Sequence, residues 1–287
     1  MLALITAAAA RPLDEDLPPL TAALAARGIV HEIVDWDDPT VDWRRFDAAI
    51  IRSTWDYIDR YAEFSAWIER IAPLTRLLNP PEVIRWNTHK GYLVELAARG
   101  IPIVPTTLVR PGDALPEIGP GEWVVKPAIG AGSRDARRFR DQPQAAREHL
   151  ADLLARGRDA LLQPYLARVD QAGETALLYF GGQYSHAIRK GPLLAANASA
   201  TDRLFAPEKI VAREPGADER ALADRILAAV PFAGPLLYAR VDLLRAEDGS
   251  PVLLELELTE PSLFFDHAAG SAERFVAALQ ARTANPA

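Results

Sequence analysis

"VVKPAIGAGSRD", residues 124–135, runs from an apolar, strand-like stretch into Lys126 and then into a loop carrying Gly130, Gly132 and Ser133. A loop of this kind lets the backbone come close to a bound group and aim several N–H donors at it, which suits phosphate oxygens. It is not the fingerprint with GK[ST], because the lysine precedes the glycines, and it does not read G-x-G-x-x-G. Taken alone it reads as a plain turn, so its meaning depends on the company it keeps along the chain.

The chain has 287 residues, of which 49% are hydrophobic and 25% charged, which describes a globular protein large enough for two or three compact units. Its formal charge of −7 argues against a surface built to neutralise a nucleic-acid backbone, although a local basic pocket for a small anion remains open. Cysteine is absent, which excludes disulfides and thiolate metal sites and fits a reducing compartment. The start "MLALITAAAARPLDED" lacks a basic n-region and meets acids early, so it reads as a first β-strand rather than a signal peptide. No apolar stretch approaches the roughly 20 residues of a membrane-spanning helix. A cytoplasmic protein without nucleic-acid or membrane partners is expected.

The first hundred residues alternate between strand and helix patterns. "LALITAA", "VHEIVDW" and "FDAAIIRS" read as strands; Pro18 to Gly28 and the run "TWDYIDRYAEFSAWIERIA" read as helices. Such alternation predicts a parallel sheet with functional loops at the carboxyl ends of its strands, where Arg52, Ser53, Thr54, Trp55 and Asp56 fall. From Asn79 the character changes, with a proline break, a helix expected from about Thr88 to Arg99, and a boundary near residue 82. Further on come the strand "EWVVKPAI", the glycine loop, a helix in "DQPQAAREHLADLLARG", the strand "ALLQPYL", and a hairpin turning at Gly181-Gly182. A polar Ala/Asp-rich stretch, a helix in "DERALADRILAAV", a strand pair joined by Asp-Gly, and a C-terminal helix complete the chain.

Six features now stand in a fixed order: Lys90, Lys126 before the glycine loop, "LLQPYL" at 161–166, Glu174, "ARVD" at 239–242 and "LLELELTEP" at 253–261. This order resembles the ATP-grasp superfamily from about residue 84 to 266, and "FDAAIIRSTWDY", "SHAIRKGP" and "LELELTEPSLFF" look most like its D-cycloserine-forming cyclo-ligase group. The resemblance implies an α/β chain with three parts. These are an N-terminal Rossmann-like parallel-sheet domain over 1–82, and two α+β subdomains, 83–165 with the glycine loop and 166–287 with a metal site, that clasp ATP.

The resemblance also implies roles. Lys90 and Lys126 contact the α- and β-phosphates, with Gly130, Gly132 and Ser133 above them; a solvated surface lysine is the alternative for Lys90. Gln163, Tyr165 and Leu166 form the hinge that meets adenine. Glu174 is the ribose-binding acid, with Asp170 as a competitor. Asp242, Glu255 and Glu257 hold magnesium: residues two apart on a strand face one side, and carboxylates gathered among Leu and Val repel unless a cation lies between them. The family pattern has asparagine where Glu257 stands, so this chain adds a negative charge. A solvent-facing polar strand face is the bland alternative. Arg240, with Arg189 or Lys190, stabilises the transferring phosphoryl group. Arg52 and Ser53 are candidates for holding a substrate carboxylate or amide, with a structural role around Trp55 and Tyr57 equally open. His186 reads as a polar strand residue rather than a ligand.

The implied chemistry is ATP-dependent activation of a carboxylate to an acylphosphate, followed by attack of a nitrogen. In the cycloserine-forming group that nitrogen belongs to the same molecule, O-ureido-D-serine. An intermolecular ligase making a dipeptide or modified amino acid, and a nucleotide-binding module without catalysis, are the alternatives. The substrate is expected to be small and amino-acid-like, and a homodimer is compatible with such a ligase.

Overall fold

The computed structural model describes residues 1–197, 209–234 and 236–284. Most of the Ala/Asp-rich stretch, 198–208, lies outside them. The described elements are β1 Leu2–Thr6, α1 Leu17–Ala26, β2 His31–Asp35, β3 Ala48–Ser53, α2 Tyr61–Ile71, β4 Arg76–Leu78, α3 Pro81–Asn87, α4 Tyr92–Ala98, β5 Thr107–Val109, β6 Glu122–Pro127, β7 Arg137–Arg140, α5 Pro143–Ala155, β8 Ala160–Pro164, α6 Val169–Ala172, β9 Glu174–Phe180, β10 Gln183–Lys190, β11 Ile210–Arg213, α7 Ala217–Ala228, β12 Tyr238–Arg245, β13 Pro251–Glu257 and α8 Ser271–Ala284.

Three sheets result. The first is parallel, in the order β2-β1-β3-β4. Every residue of β1 and β3 is buried, as expected of parallel strands covered on both faces. Side chains alternate between those faces: Leu2, Leu4 and Ile50 pack with α1 and α8, while Ala3, Ile5, Ala49 and Ile51 pack under α2 with Trp36, Trp43, Phe64 and Trp67.

The second sheet, β5-β8-β6-β7, is antiparallel and is covered by the Ala146, Leu150 and Leu153 stripe of α5. The third, β11-β10-β9-β12-β13, is antiparallel throughout. Its β9–β10 hairpin turns on Gly181 and Gly182, both at positive φ (57° and 80°), the conformation a tight primed turn demands.

The helix expected over Thr88–Arg99 is broken. One helix, α3, starts at Pro81, and α4 begins only at Tyr92. Between them Lys90 N–H donates to Ala128 O at 2.8 Å, tying this linker to the end of β6. A backbone donor spent on another strand cannot serve a helix. The strands β4, β7 and β11 escaped the sequence pattern because each has only three or four residues. Among the described residues no helix is long and apolar enough to cross a membrane.

Candidate functional site

A cavity of about 520 Å³ opens where the three sheets meet, within the range of small-molecule pockets. It is lined by Lys90, Lys126, the glycine loop, Gln163, Tyr165, Leu166, Glu174, Lys190, Arg240, Asp242, Glu255 and Glu257, and by Trp55 and Tyr57 from the loop after β3.

The third sheet supplies its charged wall. Strand register places Lys190 opposite Glu174, Asp242 opposite Glu255 and Arg240 opposite Glu257. Lys190 Nζ donates to Glu174 Oε1 at 2.5 Å and to Asp242 Oδ2 at 2.9 Å. Arg240 holds Asp242 at 2.9 Å and also donates to Glu257. Lys126 donates to Glu255 at 2.5 Å, and Lys90 stands 4.0 Å from the same carboxylate while donating to Gly130 O at 2.5 Å.

These environments separate the acids. Burial raises all four, but Arg240 and Lys190 more than reverse this for Asp242, which is held below the usual carboxylate range. Lys126 and Lys90 do the same for Glu255, down to about 2. For Glu174 burial prevails over Lys190 and lifts the carboxyl to about 8; Glu257 is raised by burial too. Buried ion pairs seldom add net stability, because desolvation offsets the Coulombic gain. A cluster of this size in a cavity wall therefore points to function.

At the hinge, Tyr165 N–H donates to Glu122 O at 2.8 Å, the Arg138 guanidinium lies 3.4 Å over its ring, and its hydroxyl donates to Asp170 at 2.5 Å. Gln163 donates to Thr106 Oγ1 at 2.8 Å. Asp170 is thus the acid beside the hinge, whereas Glu174 belongs to the charged wall with Lys190 and Asp242. In the glycine loop, Gly132 and Ser133 both have φ of 60°, and Arg134 reaches across to Asp59 at 2.5 Å. Glycine adopts that conformation at little cost; serine does so only under local constraint.

Other candidates lie apart. Arg189 and Lys190 are consecutive on β10 and so point to opposite faces. Lys190 takes the cavity, and Arg189 donates instead to Ala172 O and Gln171 O at 2.5 and 2.7 Å. Arg52 and Ser53, at the end of β3, are fully buried and do not line the cavity. Arg52 donates to Asp16 at 3.3 Å and to Pro261 O at 3.2 Å, and it is Asp16 that lines the cavity, accepting also from Leu263 and Phe265 N–H. His186 is buried against Leu263 O.

Sequence reasoning missed Asp16, Glu260, Ser262, Phe264 and His267 in the lining. The only local signal for Glu260 was a lone acid closing an apolar strand before Pro261. Phe264 has φ of 52°, a conformation that a bulky residue adopts only where its surroundings impose it.

Residues 2–79 match the family model described as the N-terminal domain of D-cycloserine synthetase DcsG. The cycloserine biosynthesis protein DcsG of Streptomyces lavendulae is 45% identical over 296 residues, covering 98% of each chain. The crystal structure of D-cycloserine synthetase DcsG aligns with a TM-score of 0.92 at 43% identity, over 98% of this chain and 99% of that one. More distant likenesses show the fold alone. The ATP-grasp ligase PsnB, complexed with minimal precursor, Mg and ADP, aligns at TM-score 0.64 and 18% identity over 98% and 97% of the two chains. D-alanine–D-alanine ligase from Bacillus anthracis, complexed with ATP, gives 0.63 and 16% over 99% and 97%.

Proposed function

The chain belongs to the DcsG family of ATP-grasp ligases, enzymes that form C–N bonds, and from that premise we propose that it phosphorylates the carboxylate of O-ureido-D-serine with ATP and closes the acylphosphate into a five-membered ring, which becomes D-cycloserine when water removes the carbamoyl group as carbon dioxide and ammonia. The observation that carries this reading is that the charged wall and the aromatic pair Trp55 and Tyr57 line one and the same cavity. A phosphoryl-transfer end and an amino-acid-sized end thereby share one enclosure.

In this proposal residues 1–82 contribute the substrate end, 83–165 the glycine loop and hinge, and 166–287 the charged wall. Adenine lies along Gln163, Tyr165 and Leu166. Lys90 and Lys126, under Gly130, Gly132 and Ser133, take the phosphates; Lys190 and Arg240 stabilise charge on the transferring group. Glu174 serves the charged wall by holding Lys190. Arg52 and Ser53 act on the substrate end from behind, Arg52 by fixing Asp16.

The donor set fits magnesium in its chemistry: Asp242, Glu255 and Glu257 offer oxygen ligands from paired strands, and the first two are ionised. Among the described residues no three such side chains converge closely enough to hold an ion; each is engaged by a lysine or arginine. Were Lys126 and Lys90 to move onto phosphate oxygens, Glu255 would be stranded unless a divalent cation came with the nucleotide, while Asp242 and Glu257 would keep Lys190 and Arg240. Bound there, magnesium supplies charge neutralisation along the phosphates. Holding the carboxylate and the nitrogen of one molecule together gives ring closure the advantage of proximity, and the loop over the phosphates keeps water from the acylphosphate.

The test is incubation with ATP, magnesium chloride and O-ureido-D-serine and no added amine. ADP and the cyclic product are expected together. ADP release that requires a second amine would transfer the assignment to an intermolecular ligase, and nucleotide binding without turnover on any carboxylate would make the chain a non-catalytic module.

A further inference from the structure

We propose that the carboxylate of Glu260 is the base that removes the proton from the attacking nitrogen, with Tyr57 as the residue that positions it. The inference rests on the ligase reading above and adds the group that reading lacks, since a nitrogen that forms an amide must lose a proton.

Glu260 lines the cavity at the end of the segment that carries Glu255 and Glu257. Two groups on the loop after β3 fix it. The Tyr57 hydroxyl donates to Oε1 at 2.7 Å, and the Trp55 indole donates to the backbone carbonyl at 3.1 Å. Glu174, Asp242, Glu255 and Glu257 each meet a lysine or arginine within ion-pair distance, whereas among the described residues no basic side chain pairs with Glu260. The charged and titratable groups around it are Tyr57, Glu257, Lys90 and Arg240. Burial, with Glu257 adding to it, raises the carboxyl to about 7, the range in which a base works best at neutral pH. Glu260 therefore shares the cavity with the aromatic pair, which it touches, and with Lys90 and Arg240, whose charges reach it.

The step balances as follows. The nitrogen lone pair forms the bond to the acyl carbon, and the carbon–oxygen bond to phosphate breaks with its electron pair leaving on phosphate. The N–H proton passes to Glu260, which becomes the neutral acid and later loses that proton to water; the carbamoyl group left on the ring nitrogen is then removed by water as carbon dioxide and ammonia.

Hydroxylamine, supplied in excess, captures an acylphosphate as a hydroxamate without needing the enzyme's base, so the two half-reactions can be read separately. With ATP, magnesium chloride and O-ureido-D-serine, Glu260→Gln is expected to keep hydroxamate formation within about threefold of wild type while cyclic product falls about 100-fold, the usual scale of a lost general base. Tyr57→Phe is expected to lower the ratio of product to hydroxamate by about tenfold, in line with a misplaced base. If Glu260→Gln does not fold, Glu260→Asp takes its place, again with a lowered ratio expected. An unchanged ratio in a folded Glu260 variant overturns the inference, and so does an equal loss of both products, which would make Glu260 a binding group for the substrate ammonium. A wild-type enzyme that forms no hydroxamate overturns the ligase reading itself and this inference with it.

Discussion

The face of the third sheet that carries the charged wall is not charged along its whole length. At one end it bears Glu174, Lys190, Arg240 and Asp242; at the other the same strands carry Leu178, Phe180 and Tyr238, which join Phe265, Phe275 and Leu279 in an apolar core. The alternation of side chains is identical at both ends, so the backbone does not distinguish them. What differs is the covering. The apolar end lies beneath α8 and the first sheet, while the charged end lies open to the cavity. The apolar end contributes stability through area removed from water; the charged end contributes little stability and concentrates field where negative charge must be managed.

Three measurements can break or sharpen this contrast. The largest effect is expected from Glu255→Gln at the charged end, where ADP formation should fall about 1000-fold, the scale of losing a preorganised charge, while adenine nucleotide binding stays measurable; because Lys126 loses its carboxylate partner, urea denaturation should also register a loss of about 3 kcal/mol. Turnover at the wild-type rate would remove Glu255 from the site. At the apolar end, Leu178→Ala should cost about 3 kcal/mol in the same denaturation experiment and leave the KM for ATP unchanged, because the residue is fully buried and its loss leaves a cavity. A change confined to activity would mean that the two ends are coupled.

His186, on β10 within 6.0 Å of Phe180, gives the third and smallest. Burial pushes its imidazole from the ordinary 6.5 down to about 4. The unfolded chain therefore binds more protons than the folded one between those values, so this group's stabilising share is complete above pH 6.5 and is lost as pH falls towards 4. The loss amounts to at most about 3 kcal/mol. Glu174 and Glu260, whose carboxyls are raised, act in the opposite sense, so the comparison must be between wild type and His186→Gln. The difference in Tm between the two should shrink from pH 7 to pH 4; a constant difference would refute a neutral buried imidazole.

Much of the site was legible because strand periodicity is local. Glu255 and Glu257 two apart, and Asp242 on the partner strand, were expected on one face, and the register sets Asp242 opposite Glu255. The break at residues 88–91 was not legible, since a hydrogen bond from Lys90 to Ala128 joins segments far apart in the chain. For Glu174 the family resemblance implies a ribose-binding role, whereas its pairing with Lys190 is set by the register of β9 against β10, which no local pattern shows. Between Arg189 and Lys190 the residue types offered no choice, and the facing of β10 made it.

The sequence by itself determined that a lysine, a glycine loop and a terminal run of acids would follow one another on strands, because apolar alternation and turn residues act over a few positions. Only the tertiary structure decided which cation neutralises which acid, that Arg52 is buried while Asp16 faces the cavity, and that Tyr57 reaches Glu260. Each of those pairings joins segments brought together by packing of whole sheets, and the burial that shifts a carboxyl from 4.5 to about 7 at Glu260 comes from the assembled cavity rather than from any neighbour in the chain.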